Sequence, residues 1–388
     1  MRVNYYIHGH QIILEDQVLE DAYLKIKEGK FDGVVQTAPE GAEIVDYSNY
    51  ILAPGLVDTH IHGYKSYDVM DNDAQGLEEI SKGLLACGVT SWLPTTLTAP
   101  AEELEAVCQT VAEHYQSLSG AKVRGIFLEG PFFTEKYKGA QNEHYMMDPS
   151  VDLLKAWHQA SAALVNKIAI APERDGVTDF IHSATNLGVY TALAHSDATY
   201  AQAMEAVEAG ANIFIHTFNG MSGLHHREPG MVGAALNAGE GVYAELICDG
   251  FHVHPAAASI VMKCRGTDET VLVTDCMRAG GMGEGDSMLG ELPVVVKDGQ
   301  ARLKDGGNLA GSILELIDGV ANVVQWGIAS LPEAVRMASL APAKSVGIEH
   351  LCGKIAPGYE ADFIVIDDTG QLQATYLDGV KRYDILDA

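Results

Sequence analysis

Residues 52–63 read Leu52-Ala53-Pro54-Gly55-Leu56-Val57-Asp58-Thr59-His60-Ile61-His62-Gly63. An apolar run of this length is a strand buried on both faces, and two histidines spaced by one residue at its end leave that strand on the same side. Seven further runs of the same kind follow: Val89 to Thr95, Val123 to Glu129, Lys167 to Pro172, Val189 to His195, Ala211 to His216, Val242 to Cys248 and Thr270 to Asp275. The segments between them carry helical spacing, as in Leu77, Ile80, Leu84 and in Leu104, Val107, Val111, Tyr115. Eight buried strands joined by helices predict an α/β protein, a (β/α)8 TIM-like barrel over residues 53–345.

The two ends read differently. Val3 to His8, Gln11 to Leu14, Ala22 to Lys27 and Phe31 to Val35 are short strands, the last two joined by a tight turn at Glu28-Gly29-Lys30. Asp362 to Ile366, Ala374 to Leu377 and Val380 to Tyr383 repeat the pattern around Asp378-Gly379. Chain ends usually lie close together, so residues 1–52 and 346–388 are expected to form one small β-sandwich domain beside the barrel.

Composition narrows the function. The chain has 388 residues, 47% hydrophobic and 20% charged, enough for a large core. With 25 basic against 53 acidic residues the net charge is −28, which argues against nucleic acid or an anionic membrane as partner. No apolar stretch approaches the roughly 18 residues of a membrane span and no signal peptide precedes the first strand, so a soluble cytoplasmic protein is expected. Six scattered cysteines without Cys-x-x-Cys spacing read as free thiols.

The apolar runs end in chemistry. His60 and His62, Glu129, His195, His216 and Asp275 stand at the C-terminal ends of different runs, the end at which barrels build active sites. Four imidazoles and two carboxylates at matching depth point to a divalent metal centre, with zinc favoured and iron or manganese as alternatives. Hydrolysis at such a centre needs a carboxylate that carries a proton from water to the leaving group, and Asp275 on the last strand is the candidate, whether or not it also ligates.

These residues resemble the amidohydrolase superfamily and, within it, the N-acetylglucosamine-6-phosphate deacetylases. Beyond the His-x-His opening, the marks are Leu128-Glu129-Gly130-Pro131-Phe132, Lys138-Gly139-Ala140, Ala194-His195-Ser196, His216-Thr217-Phe218-Asn219-Gly220-Met221, Arg227-Glu228-Pro229-Gly230, Asp249-Gly250-Phe251-His252, Thr274-Asp275 and Leu309-Ala310-Gly311-Ser312. The resemblance implies that Glu129, His195 and His216 hold the main metal, with Glu129 in place of the carboxylated lysine common in the superfamily. Lys167, which starts its run, is expected not to reach the mouth. Because His60 and His62 are both present, a second metal bridged by Glu129 is also implied, giving one or two ions per subunit.

The resemblance further implies metal-dependent hydrolysis of the acetamide of N-acetylglucosamine 6-phosphate, giving glucosamine 6-phosphate and acetate. The implied substrate set is Ala140, Gln141, Asn219, Gly220, Arg227, His252, Leu309, Ala310 and Gly311. In it Asn219 and Gly220 touch the sugar, Arg227 and His252 bind the phosphate, and the Leu309-Ala310-Gly311 backbone closes over the ligand. Many members carry histidine where this chain has Gln141, which can donate a hydrogen bond to a carbonyl but cannot carry charge. His144, His225 and His226 read as loop residues. A homodimer is implied, in which a phosphate contact can come from the neighbouring subunit. The competing readings are a deaminase or cyclic-amide hydrolase, which would have no phosphate to hold, and a non-catalytic scaffold, which would be expected to lack ligands.

Overall fold

A computed structural model describes residues 4–387. Eight parallel strands form the centre: Leu56–Ile61, Val89–Pro94, Ile126–Phe132, Val165–Ile170, Tyr190–Leu193, Ile213–Phe214, Tyr243–Leu246 and Thr270–Leu272. Each falls within or beside one of the expected runs. Strands three to eight pair in sequence order as one sheet, and the first two pair with each other. Two parallel bridges complete the circle, Thr95 to Phe127 between strands two and three and Ile61 to Cys276 between strands one and eight. Asp275 N donates to His60 O at 2.8 Å across that last seam, which seats Asp275 directly beside the two histidines.

The helices pack outside the strands as their periodicity requires. Helix Ala74–Leu84 buries Leu77, Ile80 and Leu84, and the Asp73 side chain caps it by accepting from Gln75 N and Gly76 N. Helix Ala101–His114 buries Leu104, Val107 and Val111, and Tyr115 falls in the turn that follows. The helices Leu331–Met337 and Leu340–Ser345 lead to Val346, Ile348 and Cys352, which pack against barrel residues including Val57, Leu93 and Phe127.

The ends meet in one seven-stranded sheet with the order Val380–Asp384, Leu372–Leu377, Phe363–Ile366, Ile44–Pro54, Tyr5–Ile13, Val18–Lys27 and Lys30–Val35. The sheet curls so that its two ends enclose a shared core of Ile7, Leu24, Phe31, Phe363, Val365 and Tyr376. Ala361 locks the curl by donating to Gly29 O and accepting from Gly379 N, both at 2.9 Å.

Three details differ from the sequence reading. The run from Leu52 is two strands: Ile44–Pro54 belongs to the terminal sheet, pairing antiparallel with Phe363–Ile366, and the barrel begins after Gly55. Gly55 turns the chain where a β-carbon would stand 2.1 Å from Thr90 Oγ1, so no larger residue fits. The first two expected strands are a single strand with a register shift between Gly9 and Gln11 in its pairing with Ile44–Pro54, and Val3 lies outside the described residues. An antiparallel sheet of Gly285–Leu289, Leu292–Lys297 and Gln300–Leu303, absent from that reading, follows the eighth barrel strand and packs Leu289, Val294 and Val296 against Leu97 and Met277 near the mouth.

Candidate active site

The six residues singled out as a metal centre converge at the C-terminal end of the barrel. Glu129 is their hub. Its Oε1 lies 3.2 Å from Nε2 of both His195 and His216, and its Oε2 lies 3.2 Å from Nε2 of His62. Asp275 Oδ1 lies 3.1 Å from His62 Nε2 and 3.6 Å from His60 Nε2. The donor atoms fall into two compact groups, Glu129 with His195 and His216, and His60 with His62 and Asp275. All six side chains are buried.

The backbone has to bend to present them. His195, His216 and Asp275 adopt left-handed backbone angles, with φ of 43°, 33° and 50°, immediately after their strands. Such a conformation costs a non-glycine residue about 1–3 kcal/mol and is concentrated at functional sites. Gly220 supplies the space His195 needs, since a β-carbon there would stand 2.9 Å from His195 Nδ1.

Each ring is locked through its outer nitrogen. Nδ1 of His62, His195 and His216 meets the carbonyl oxygens of Thr95, Tyr137 and Asn219 at 3.2, 2.9 and 3.0 Å, while Nδ1 of His60 lies 3.3 Å from Glu245 Oε2. A nitrogen that faces an acceptor carries the proton, so in the neutral ring, the form that ligates a cation, each Nε2 directs its lone pair toward the centre. His60 Nε2 is buried without a hydrogen-bond partner, as a ligand atom awaiting a cation would be.

Electrostatics agree with that reading. Burial disfavours the charged form of His60, yet the Asp275 and Glu129 carboxylates outweigh it and raise its pKa to about 9. His62 is raised well above the ordinary histidine value, against the same burial, by hydrogen bonds to Asp275 and Glu129. Burial pulls His216 down instead, with Glu129 opposing. Glu129 is held well below the carboxylate range and Asp275 below it, because the facing histidines overcome desolvation. The carboxylates therefore attract positive charge strongly, and in its absence take protons on neighbouring imidazoles.

Above the centre lies a cavity of about 360 Å³ lined by His62, Glu129, His195, His216 and Asp275, together with Ala140, Gln141, Asn219, Gly220, His252, Leu309 and Gly311 of the expected substrate set. Two members of that set do not line the cavity. Ala310 is buried in the core beside Leu97 and Met277 instead of lining the cavity, and its N–H donates to Ala301 O at 3.0 Å. Arg227 lies outside the cavity on an exposed loop, where its Nη1 is 2.9 Å from His226 Nε2. His144 is likewise exposed.

Gln141 has a defined task. Its Nε2 donates to Glu129 Oε2 at 2.7 Å and its Oε1 accepts from Thr98 N at 2.8 Å, so the amide orients the hub carboxylate. His252 is oriented from behind by Asp249, whose Oδ2 is 2.6 Å from its Nδ1.

Two side chains, Arg302 and Glu245, escaped the sequence reading, and so did the pairing of Lys167 with Glu245. Arg302, on the inserted sheet, is the only arginine or lysine lining the cavity among the described residues. Lys167 and Glu245 pair at 2.5 Å inside the barrel beneath the centre. Lys167 stays clear of the mouth, as expected. The signal for the pair was present: a lone acid in Val242 to Cys248 and a lone base in Lys167 to Pro172, both in runs too buried to leave a charge unpaired.

A parallel barrel whose mouth gathers four imidazoles and two carboxylates defines a metal-dependent hydrolase. The profile of the Amidohydrolase family matches residues 51–384. The chain belongs to that family, which is metal-dependent, and groups within it with the N-acetylglucosamine-6-phosphate deacetylases. It is 38% identical to the N-acetylglucosamine-6-phosphate deacetylase of Vibrio furnissii, over 97% of this chain and 96% of that protein. It is 36% identical to the N-acetylgalactosamine-6-phosphate deacetylase of Escherichia coli O157:H7, over 96% and 98%. A mutant N-acetyl-D-glucosamine-6-phosphate deacetylase from Mycobacterium smegmatis, solved in complex with N-acetyl-D-glucosamine-6-phosphate, superposes with a TM-score of 0.92 at 29% identity, covering 98% of this chain and 99% of that one.

Proposed function

We propose that this enzyme hydrolyses the acetamide of N-acetylglucosamine 6-phosphate to glucosamine 6-phosphate and acetate. The observation that carries the reading is the junction at Glu129, where two sets of ligand atoms meet on the floor of a cavity whose walls hold sugar-sized polar contacts and an arginine. The nitrogen and oxygen donors suit zinc, with iron or manganese as alternatives, and Glu129, whose two oxygens face different histidines, would help to hold either ion. A bound divalent cation would supply Lewis acidity toward the acetamide oxygen and toward a water.

The protein's own residues do the rest. The Asp275 carboxylate takes a proton as the water oxygen bonds to the acetamide carbon, and returns it to the amine nitrogen as the carbon–nitrogen bond breaks. Gln141 keeps Glu129 in place and retains a second amide N–H for the acetamide oxygen. Asn219 and the Gly220 backbone face the sugar, and Leu309 and Gly311 line the opposite wall.

Arg302 supplies the positive charge for the 6-phosphate within one subunit, and His252, which lines the same cavity, supplies a further polar contact. Arg227, exposed and outside its own cavity, serves this role only from a neighbouring copy, which fits a homodimer. The same loop exposes Leu224 at 60%, an apolar surface of the kind a subunit interface covers. A phosphorylated substrate, six unpaired cysteines and, among the described residues, no helix long and apolar enough to cross a membrane fit a cytoplasmic enzyme.

Acetate release tests the reading directly. Purified enzyme should release acetate, and no ammonia, from N-acetylglucosamine 6-phosphate. N-acetylgalactosamine 6-phosphate, prompted by the second relative, and unphosphorylated N-acetylglucosamine serve as comparison substrates. Ammonia from a cyclic base or amide, with no acetate from either sugar phosphate, would move the assignment to another amidohydrolase; no turnover and no bound metal would mean a scaffold.

A further inference from the structure

Of the four imidazoles at the centre, three anchor their outer nitrogen on a main-chain carbonyl. His60 alone among them rests on a carboxylate, with Nδ1 at 3.3 Å from Glu245 Oε2. The other oxygen of Glu245 receives Lys167 Nζ at 2.5 Å and lies 3.4 Å from Thr59 Oγ1. Lys167 in turn donates to Thr59 O at 3.3 Å and sits 3.9 Å from the centre of the Phe127 ring. Lys167, Glu245 and His60 are all fully buried. Two well-packed apolar residues of similar volume would fill the barrel interior at least as stably as a buried ion pair. The pair therefore needs a reason beyond packing.

We propose that the Lys167–Glu245 pair is a positioning device for His60, and that it makes the His60–His62–Asp275 group competent for a second divalent cation. An ionised carboxylate can only accept, so Nδ1 must carry the ring proton and Nε2 must present its lone pair toward Glu129 and Asp275. That Nε2 is buried without any hydrogen-bond partner. A carboxylate behind an imidazole also makes it a stronger ligand than a carbonyl does. Lys167 holds Glu245 in a single orientation and cancels its charge, so the added carboxylate does not repel Asp275 and Glu129. The Glu129–His195–His216 group has only main-chain anchors behind its imidazoles and does not depend on the pair.

This inference rests on the metal-centre reading above, and one experiment separates the two. The metal-free full-length protein is titrated with Mn²⁺ by calorimetry, with electron paramagnetic resonance to detect a spin-coupled ion pair. Wild type should bind two ions. Glu245→Gln should bind the first as wild type does and the second about 10–100-fold more weakly, with loss of the coupled signal. Because Glu245→Gln strands a buried ammonium, the Lys167→Met/Glu245→Gln double variant is measured alongside it and should show the same selective loss. A merely structural pair would lower the melting temperature and leave both affinities unchanged; two ions of wild-type affinity in either folded variant overturn the inference alone. A single ion in wild type overturns the inference while leaving the hydrolase reading standing, and no ion at all overturns both.

Discussion

Asp275 Oδ1 lies 3.1 Å from His62 Nε2, although 213 positions separate the two residues in the chain. The contact crosses the seam at which the eighth strand closes on the first, where Asp275 N bonds His60 O. Barrel closure thus brings Asp275 into the site beside the two histidines.

Asp275→Asn keeps the shape of that side chain and removes its ability to carry a proton. Turnover should fall by about 10²–10⁴-fold, the usual contribution of general acid–base catalysis. Metal analysis should still find the ion held by Glu129, His195 and His216. Near-normal turnover would end the proposed role.

Gln141→Ala removes the donor to Glu129 Oε2 and leaves the buried Thr98 N–H without its acceptor. An unsatisfied buried group costs about 1–3 kcal/mol, which urea unfolding would register. Turnover should drop as well, since the hub carboxylate is freed to rotate. A variant with unchanged stability and kcat would show that Gln141 is not needed to orient Glu129.

Arg302→Ala should raise KM for the sugar phosphate by about tenfold or more and leave the slow reaction of unphosphorylated N-acetylglucosamine nearly untouched. Arg227→Ala should act on the same substrate only in the dimer, so light scattering across enzyme concentrations accompanies its kinetics. Equal effects of either change on both sugars would mean that residue does not hold the phosphate.

Removal of the metal should abolish activity and reveal a distinctive pH dependence. Burial lowers the affinity of His60 for a proton, but Asp275 and Glu129 overcome it and raise the pKa from 6.5 to about 9. A group raised on folding stabilises the protein fully below its unfolded value and loses that contribution as pH rises through its folded value. Thermal melts of the metal-free protein should therefore fall between about pH 6.5 and 9, whereas the loaded protein should show no such loss. Metal uptake at neutral pH should release protons from His60 and His62, detectable as buffer-dependent binding heats. A flat melting profile in chelator would contradict the raised values.

Much of the site was legible because strand chemistry is local. Buried runs that end in His60 and His62, Glu129, His195, His216 and Asp275 announce a barrel mouth, and the structure gathers them into two groups of three that meet at Glu129. Arg302 was not legible, because it sits on a short antiparallel insert whose docking over the mouth depends on contacts of Leu289 and Val294 with Leu97 and Met277. Which cavity Arg227 serves was not legible either: its local context promises a phosphate contact, and only the path of its loop shows that it does not line the cavity of its own chain.

The order of polar residues along the chain by itself determined the architecture and the ligand inventory, because hydrophobic period and strand length depend on neighbours only a few positions apart. Tertiary structure alone decided which imidazole faces which carboxylate, that Lys167 and Glu245 stand behind His60, and which cation lines the cavity. Those relationships depend on the register and closure of the barrel, where residues far apart in sequence meet through the packing of every strand between them.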